Sequence, residues 1–190
     1  TNTLVSGSSL VVAGTALVTV SDDAFTTSNA TIAATALSDI GGKTSGAVTV
    51  TKAVKITGST ADLTNTMVSS SSSVIAGSAL VTVSDAAFTT SNATIAATTL
   101  SDIGGKTTGA VTLQNKVRIQ GSQSEVATAL VGDSSVAASQ GNTEARVTTT
   151  VNVNQGEEIA GVNNIQGIFA NGLSDSLSSL ASGGNSTAKL

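Results

Sequence analysis

GTALVTVSDDAFTTSNATIAATALSDIGGKTSGAVT at 14 to 49 returns, 63 residues later, as GSALVTVSDAAFTTSNATIAATTLSDIGGKTTGAVT at 77 to 112. The copies differ at four of these 36 positions: Thr15/Ser78, Asp23/Ala86, Ala36/Thr99 and Ser45/Thr108. A tandem duplication of this length describes a chain made by stacking one unit, and that sets the fold class before any local reading does.

Upstream, 1 to 13 lines up with 64 to 76 at nine of 13 positions, so the copies occupy 1–63 and 64–126. The remainder, 127–190, is read as a diverged third unit that acts as a terminal cap or a docking segment. Thr1 has the phase of Thr64, so the chain is expected to open in mid-array, with preceding copies or a neighbouring molecule supplying that face.

Within the unit, 16 to 20 is rich in β-branched residues and reads as a strand, followed by a turn or helix-cap signal at Ser21-Asp22-Asp23. Ile32, Ala36, Leu37 and Ile40 share one helical face, predicting a helix over 30–40 that Gly41-Gly42 ends. Strands follow at 46 to 51 and 54 to 57. Ser59-Thr60-Ala61-Asp62, repeated as Ser122-Gln123-Ser124-Glu125, has capping-box spacing and opens a stripe of Leu63, Met67 and Val68. The serines at 69 to 73 form a loop. Each unit thus holds two strand-then-helix passes of about 30 residues, the length of one coil in α/β repeats. The expectation is an α/β repeat fold, a right-handed solenoid of strand-helix coils, with a mainly β parallel solenoid as the alternative.

Over 50 to 68 only five of 19 positions match the second copy, yet type is kept: Leu63/Val126, Met67/Leu130, Asp62/Glu125, Lys55/Arg118. Packing tolerates such exchanges, whereas a ligand site would more often require identity. From about Gln140 the resemblance between copies ends. Here 143 to 153 reads as one long strand with alternating Val147, Val151 and Val153. Beyond Gly156, Ile159, Val162, Ile165, Ile168, Phe169, Leu173, Leu177 and Leu180 have helical spacing, weakened by Gly161, Gly167 and Gly172.

Composition narrows the chemistry. The 190 residues include no Cys, Pro, His, Trp or Tyr and three Phe, with 11% charged residues against about 25% in ordinary domains. Thiol, imidazole and aromatic-stacking chemistry is thereby excluded. Mean hydropathy of +0.28 with a net charge of −4 describes a folded chain with a thin core of small aliphatics. Eight scattered basic residues and a pI near 4.5 argue against nucleic acid. The charge-free stretches 1 to 21 and 63 to 84 are crowded with Ser, Thr and Gly, and so read as strands and turns rather than membrane spans.

Few motifs suggest a site. Gly42-Lys43-Thr44 and Gly105-Lys106-Thr107 copy the end of a phosphate-binding loop, but Leu37 and Leu100 stand where its first glycine belongs. The glycines also follow a helix, whereas phosphate sits at a helix N-terminus. Asp22-Asp23 becomes Asp85-Ala86 in the second copy, so the unit does not require an acidic pair. No EF-hand loop or glycine-rich nonapeptide array is present, and calcium, one weak site per coil at the recurring Asp22, Asp39, Asp85 and Asp102, is the one cofactor left open. Serines have no evident base beside them. Asn29, Asn92 and Asn185 head glycosylation sequons, and Ala188-Lys189-Leu190 resembles a peroxisomal address; chance accounts for both in such a composition. Thr49, Thr51, Thr112 and Thr148-Thr149-Thr150 are candidates for hydroxyl ranks on a flat sheet face, as in ice-binding surfaces. No catalytic, cofactor-binding or metal residue is singled out.

The units VTVSDAAFTTSNATIAATTLSDIGGKTTGAVTL and ITGSTADLTNTMV resemble the repeats of very large secreted surface proteins of bacteria, especially cyanobacteria. The resemblance covers roughly 1 to 135 and rests on phrasing and composition. It implies a non-catalytic structural role at the cell exterior, as a surface layer, fibre or adhesin stalk. Its partners would be copies of itself or adjoining repeats, with a glycan or cell-surface ligand as the alternative. Some members carry calcium-binding nonapeptides, which this chain lacks. Two other expectations are a carbohydrate-, surface- or ice-binding module using the Thr/Ser faces, and a phage fibre or filament subunit.

Overall fold

The computed structural model describes residues 13–26, 31–89, 94–132, 136–141 and 143–174. Short strands alternate with short helices. The order is β1 (Val18–Val20), β2 (Ile32–Ala33), α1 (Ala34–Gly41), β3 (Val48–Val50), β4 (Lys55–Gly58), α2 (Thr60–Leu63) and β5 (Val74–Ile75). The succession is then repeated by β6 (Leu80–Val83), β7 (Ile95–Ala96), α3 (Ala97–Gly104), β8 (Val111–Leu113), β9 (Arg118–Gly121), α4 (Gln123–Leu130) and β10 (Val136–Ala138). Then come β11 (Thr143–Val147), α5 (Val153–Ala160) and β12 (Ile165–Phe169). The fold is α/β with parallel sheets. By its internal contacts the chain divides into two compact units, one of residues 1–84 and 102–111, the other of 85–101 and 112–190.

In the first unit, β1, β3 and β5 form one parallel sheet with Val18, Val48 and Val74 side by side. A second sheet, β2-β4-β6, aligns Ile32, Ile56 and Val81. In both, the β-branched row points inward: Val48 and Ile56 are fully buried. Parallel pairing demands a crossover between neighbours, and the helices supply it. α1 lays Ala34, Leu37 and Ile40 on the core and packs against α2. The Ser59 hydroxyl accepts from the Asp62 amide while the Asp62 carboxylate accepts from the Ser59 amide, the capping box that the spacing predicts. After Leu63 the helix widens into a π-turn over Thr64–Val68. The Thr66 hydroxyl donates to the Asp62 carbonyl at 2.7 Å and reaches the Ala34 carbonyl at 2.8 Å. Such back-bonding competes for the carbonyl that an α-helical amide would use. In the second copy Ala129 stands at this position, and α4 stays α-helical.

The second unit carries the parallel sheet β7-β9-β11-β12, with Ile95, Ile119, Ala145 and Gly167 in one row. α4 packs against α5 and both use capping boxes, Ser122 with Glu125 and Asn152 with Gln155.

Three local expectations are corrected. The helix after β2 starts at Ala34 rather than residue 30, because Ile32 is drawn into the ladder beside Ile56. The strand expected over 143 to 153 stops at Val147: the Thr148 amide and hydroxyl both donate to the Gly121 carbonyl, Val151 makes a lone bridge to Leu173, and Val153 is already helical. The helical stripe expected beyond Gly156 ends at Ala160, and Ile165–Phe169 is a strand paired to β11 along its whole length. Asn164, at φ 63°, turns the chain back: its side-chain amide donates to the Ala138 carbonyl and its carbonyl accepts from the Thr143 amide. Leu177 and Leu180 lie outside the described residues.

Candidate functional site

The most motif-like stretch, Gly41 to Thr44, closes α1. Its amides are consumed at once: Gly42 donates to the Ser38 carbonyl at 2.8 Å, Lys43 to Ile40 at 3.0 Å and Thr44 to Gly41 at 3.3 Å. A phosphate cradle needs those N–H groups free and fanned toward a ligand. Gly42 has an ordinary helical φ of −67°. Gly41 is needed for a different reason, since a Cβ there would lie 2.2 Å from the Ser72 carbonyl oxygen.

The threonine of the motif is structural as well. Thr44, 8% exposed, donates from Oγ1 to the Ala16 carbonyl at 2.6 Å, lies 3.2 Å from the Gly14 carbonyl, and accepts from the Gly46 amide at 3.0 Å. Thr107 repeats this: 2.6 Å to Ala79, 3.2 Å to Gly77, 3.0 Å from Gly109. The partner glycines Gly14 and Gly77 sit at φ 56° and 58°, a conformation that favours residues without Cβ. Gly46 and Gly109 let two backbones touch, for a Cβ on either would stand 2.3 Å from the carbonyl oxygen of Ala16 or Ala79. Gly-Lys-Thr-x-Gly is therefore a staple fastening each turn to the preceding strand, with exposed Lys43 and Lys106 alongside.

The carboxylates are dispersed. Asp23 pairs with Lys52 at 2.8 Å, and that hydrogen bond holds its pKa below the usual carboxylate range. In the second copy Ala86 replaces Asp23 and Asn115 replaces Lys52, and Asn115 donates instead to the Asp85 carbonyl at 2.7 Å. Both members of the pair changed together. Among the described residues no three acidic side chains gather as metal ligands, so Asp22, Asp39, Asp85 and Asp102 form no such group.

The threonine ranks are shorter than expected. Thr19, Thr49 and Ile75 share one row across β1, β3 and β5, so two hydroxyls are followed by an aliphatic that is 53% exposed. Thr112 lies half-buried between buried Val111 and Leu113. Thr51 Oγ1 donates to the Val20 carbonyl and Thr149 Oγ1 accepts from the Gln123 amide. Like Thr148, both are spent within the chain. The sequons at Asn29, Asn92 and Asn185 and the C-terminal Ala-Lys-Leu lie outside the described residues.

One repeated contact was not anticipated. Lys55 Nζ lies 4.8 Å from the centre of the Phe25 ring, and the Arg118 guanidinium 3.9 Å from that of Phe88. The phenylalanine amides donate to the carbonyls of Ala53 and Lys116, tying the loop after β1 or β6 to the residues just ahead of β4 or β9. Arg118 also meets Glu144 at 2.5 Å. The retained Phe25/Phe88 and Lys55/Arg118 pairs were the available signal, and only spatial proximity joins them.

Among the described residues no helix is long and apolar enough to cross a membrane. No family model matches the chain, and neither a curated protein nor a solved structure matches it.

Proposed function

We propose that the chain is a non-catalytic structural repeat segment of the cell exterior, part of a surface layer, fibre or adhesin stalk, wound as a right-handed solenoid. The observation that carries this reading is the staple: in both copies the most constant stretch is spent on backbone fastening, Thr44 to Ala16 and Thr107 to Ala79 at the same 2.6 Å. Side-chain hydrogen bonds between successive passes recur at separations of 23 to 32 residues, about the length of one coil. Parallel neighbours joined by a crossover favour the right-handed sense. The stretch from β1 to β5, and again that from β6 to β10, lays down five strands and two helices among the described residues. Seven sides on a three-sided coil make two and one-third turns, which accounts for β1 and its counterpart β6 falling in different sheets.

The interrupted threonine rows give the ice- and glycan-binding alternatives little to work with. The test is small-angle scattering on chains of two, three and four copies. The maximum dimension is expected to rise by a constant increment per copy, and a dimension that stays level would overturn the proposal.

A further inference from the structure

One short sequence occurs in two surroundings. β6 is Leu-Val-Thr-Val, and β4 covers one of its edges: Lys55, Ile56, Thr57 and Gly58 lie beside Leu80, Val81, Thr82 and Val83. The Leu80 amide donates to the Val54 carbonyl at 2.8 Å and the Ser84 amide to Gly58 at 2.9 Å. Val81, Thr82 and Val83 are consequently at most 8% exposed. The first copy has the same Leu17-Val18-Thr19-Val20-Ser21, and β1 is paired on one edge by β3. Among the described residues nothing accepts from the amides of Leu17 and Ser21, the counterparts of Leu80 and Ser84. Leu17 is 80% exposed and Thr19 lies open.

A cleft of about 250 Å³ lies beside β1, lined by apolar Val18, Ile32, Leu37 and Ile40 and by polar Thr19, Ser21 and Asp22. An open, β-branched edge beside a half-apolar cleft is what a further strand completes. The molecule supplies its own template for the occupant, because β4 on β6 shows which sequence and register this edge takes.

We propose that the outer edge of β1 is the docking site for an extended strand with the sequence of Lys55–Gly58, provided by a further copy of the 63-residue unit and added in parallel. Its lysine, isoleucine, threonine and glycine lie beside Leu17, Val18, Thr19 and Val20. The isoleucine enters the cleft against Val18, as Ile56 lies against Val81, and the carbonyls at the positions of Val54 and Gly58 accept from the Leu17 and Ser21 amides. The proposal rests on the array reading above and names the surface by which such an array continues.

The test joins one additional copy of residues 1–63 ahead of Thr1 and follows amide exchange over 17–21, with 80–84 of the same molecule as the internal standard. Exchange over 17–21 is expected to slow by about a hundredfold relative to the original chain. Placing lysine at the isoleucine of the added copy that corresponds to Ile56 should abolish that slowing while 80–84 stays protected. Unchanged exchange over 17–21 in the extended chain would overturn the proposal. So would full protection in the original chain, since the edge would then already be covered. Scattering on the same extended molecule separates the two ideas. Growth in length without protection removes this docking site and leaves the array; protection without growth removes the array.

Discussion

Residues 94–113 and 151–169 share hardly any sequence and yet build the same succession. In the second copy β7 runs straight into α3, which is followed by β8; later the lone bridge at Val151 precedes α5, which is followed by β12. The buried faces correspond one for one. Ala97, Leu100 and Ile103 of α3 are at most 1% exposed, and Val153, Gly156 and Ile159 of α5 take their places. Where Leu100 becomes Gly156 a side chain is lost, and Leu173 and Phe169 fill the space: a Cβ on Gly156 would be 3.2 Å and 3.4 Å from their nearest atoms. The comparison teaches that the unit asks for an apolar volume at three helical positions and is indifferent to which residue provides it, or to the cap, since Asn152 caps α5 whereas alanine precedes α3 and α1 has no side-chain cap.

The comparison breaks if Ile103 and Ile159 do not behave as equivalents. Both side chains are fully buried. Truncation of either to alanine should cost about 2–5 kcal/mol, the range for a large aliphatic leaving a cavity. Urea midpoints of I103A and I159A should therefore fall together. An I159A change near zero would mean that α5 is only laid against the sheet, and the likeness of the two segments would be one of outline.

A somewhat smaller effect separates glycines that look alike in sequence. Gly109→Ala forces a Cβ to 2.3 Å from the Ala79 carbonyl oxygen, and should cost about 1–3 kcal/mol through strand displacement. Gly42→Ala adds a Cβ with 3.5 Å to its nearest neighbour, at a helical φ. It should leave stability unchanged or raise it by about 0.4–1 kcal/mol through the unfolded chain. If the two variants melt alike, the close approach at the staple is not what the repeated glycine serves.

Much of this architecture was legible because it is local. The strands at 48–50 and 55–58, the capping boxes at Ser59 and Ser122, and the end of α1 at Gly41 all follow from propensity, spacing and cap chemistry. The misread parts are those that distant partners decide. Val147, Val151 and Val153 alternate as a strand would, but the ladder to β9 closes with the Thr148 amide on the Gly121 carbonyl, where β9 itself ends, and Asn152 caps a helix soon afterwards. Asn152-x-x-Gln155 is a capping signal of the same kind as Ser59-x-x-Asp62; the alternation around it masked it. Ile165 and Ile168 suit a helix face equally well, and pairing with β11, invisible in the sequence, makes them a strand. The Gly-Lys-Thr stretch was legible as a helix end, but not as a staple, because the carbonyls it grips at Ala16 and Ala79 are 28 residues away.

The finest distinction between the copies and the later segment concerns the charge of a cap. Glu125 accepts from the Ser122 backbone amide and from the Ser122 hydroxyl, and these bonds hold its pKa below the ordinary glutamate value. A carboxylate whose folded pKa is depressed contributes stability that is fully present above its unfolded value, about 4.3, and is lost as pH falls through the folded one. Gln155 fills the same position at the start of α5 and does not titrate, so that cap is silent over the same window. Amide exchange in the first turn of α4 should quicken, relative to the first turn of α5, as pH is lowered from about 5 toward 2, after correction for intrinsic rates. Glu125→Gln should remove the difference. The side chain is fully exposed, so the change should stay local and leave the global unfolding midpoint almost still. Equal pH responses at both helices would show that the hydrogen bonds of the cap, and not the charge of its third residue, hold α4 in place.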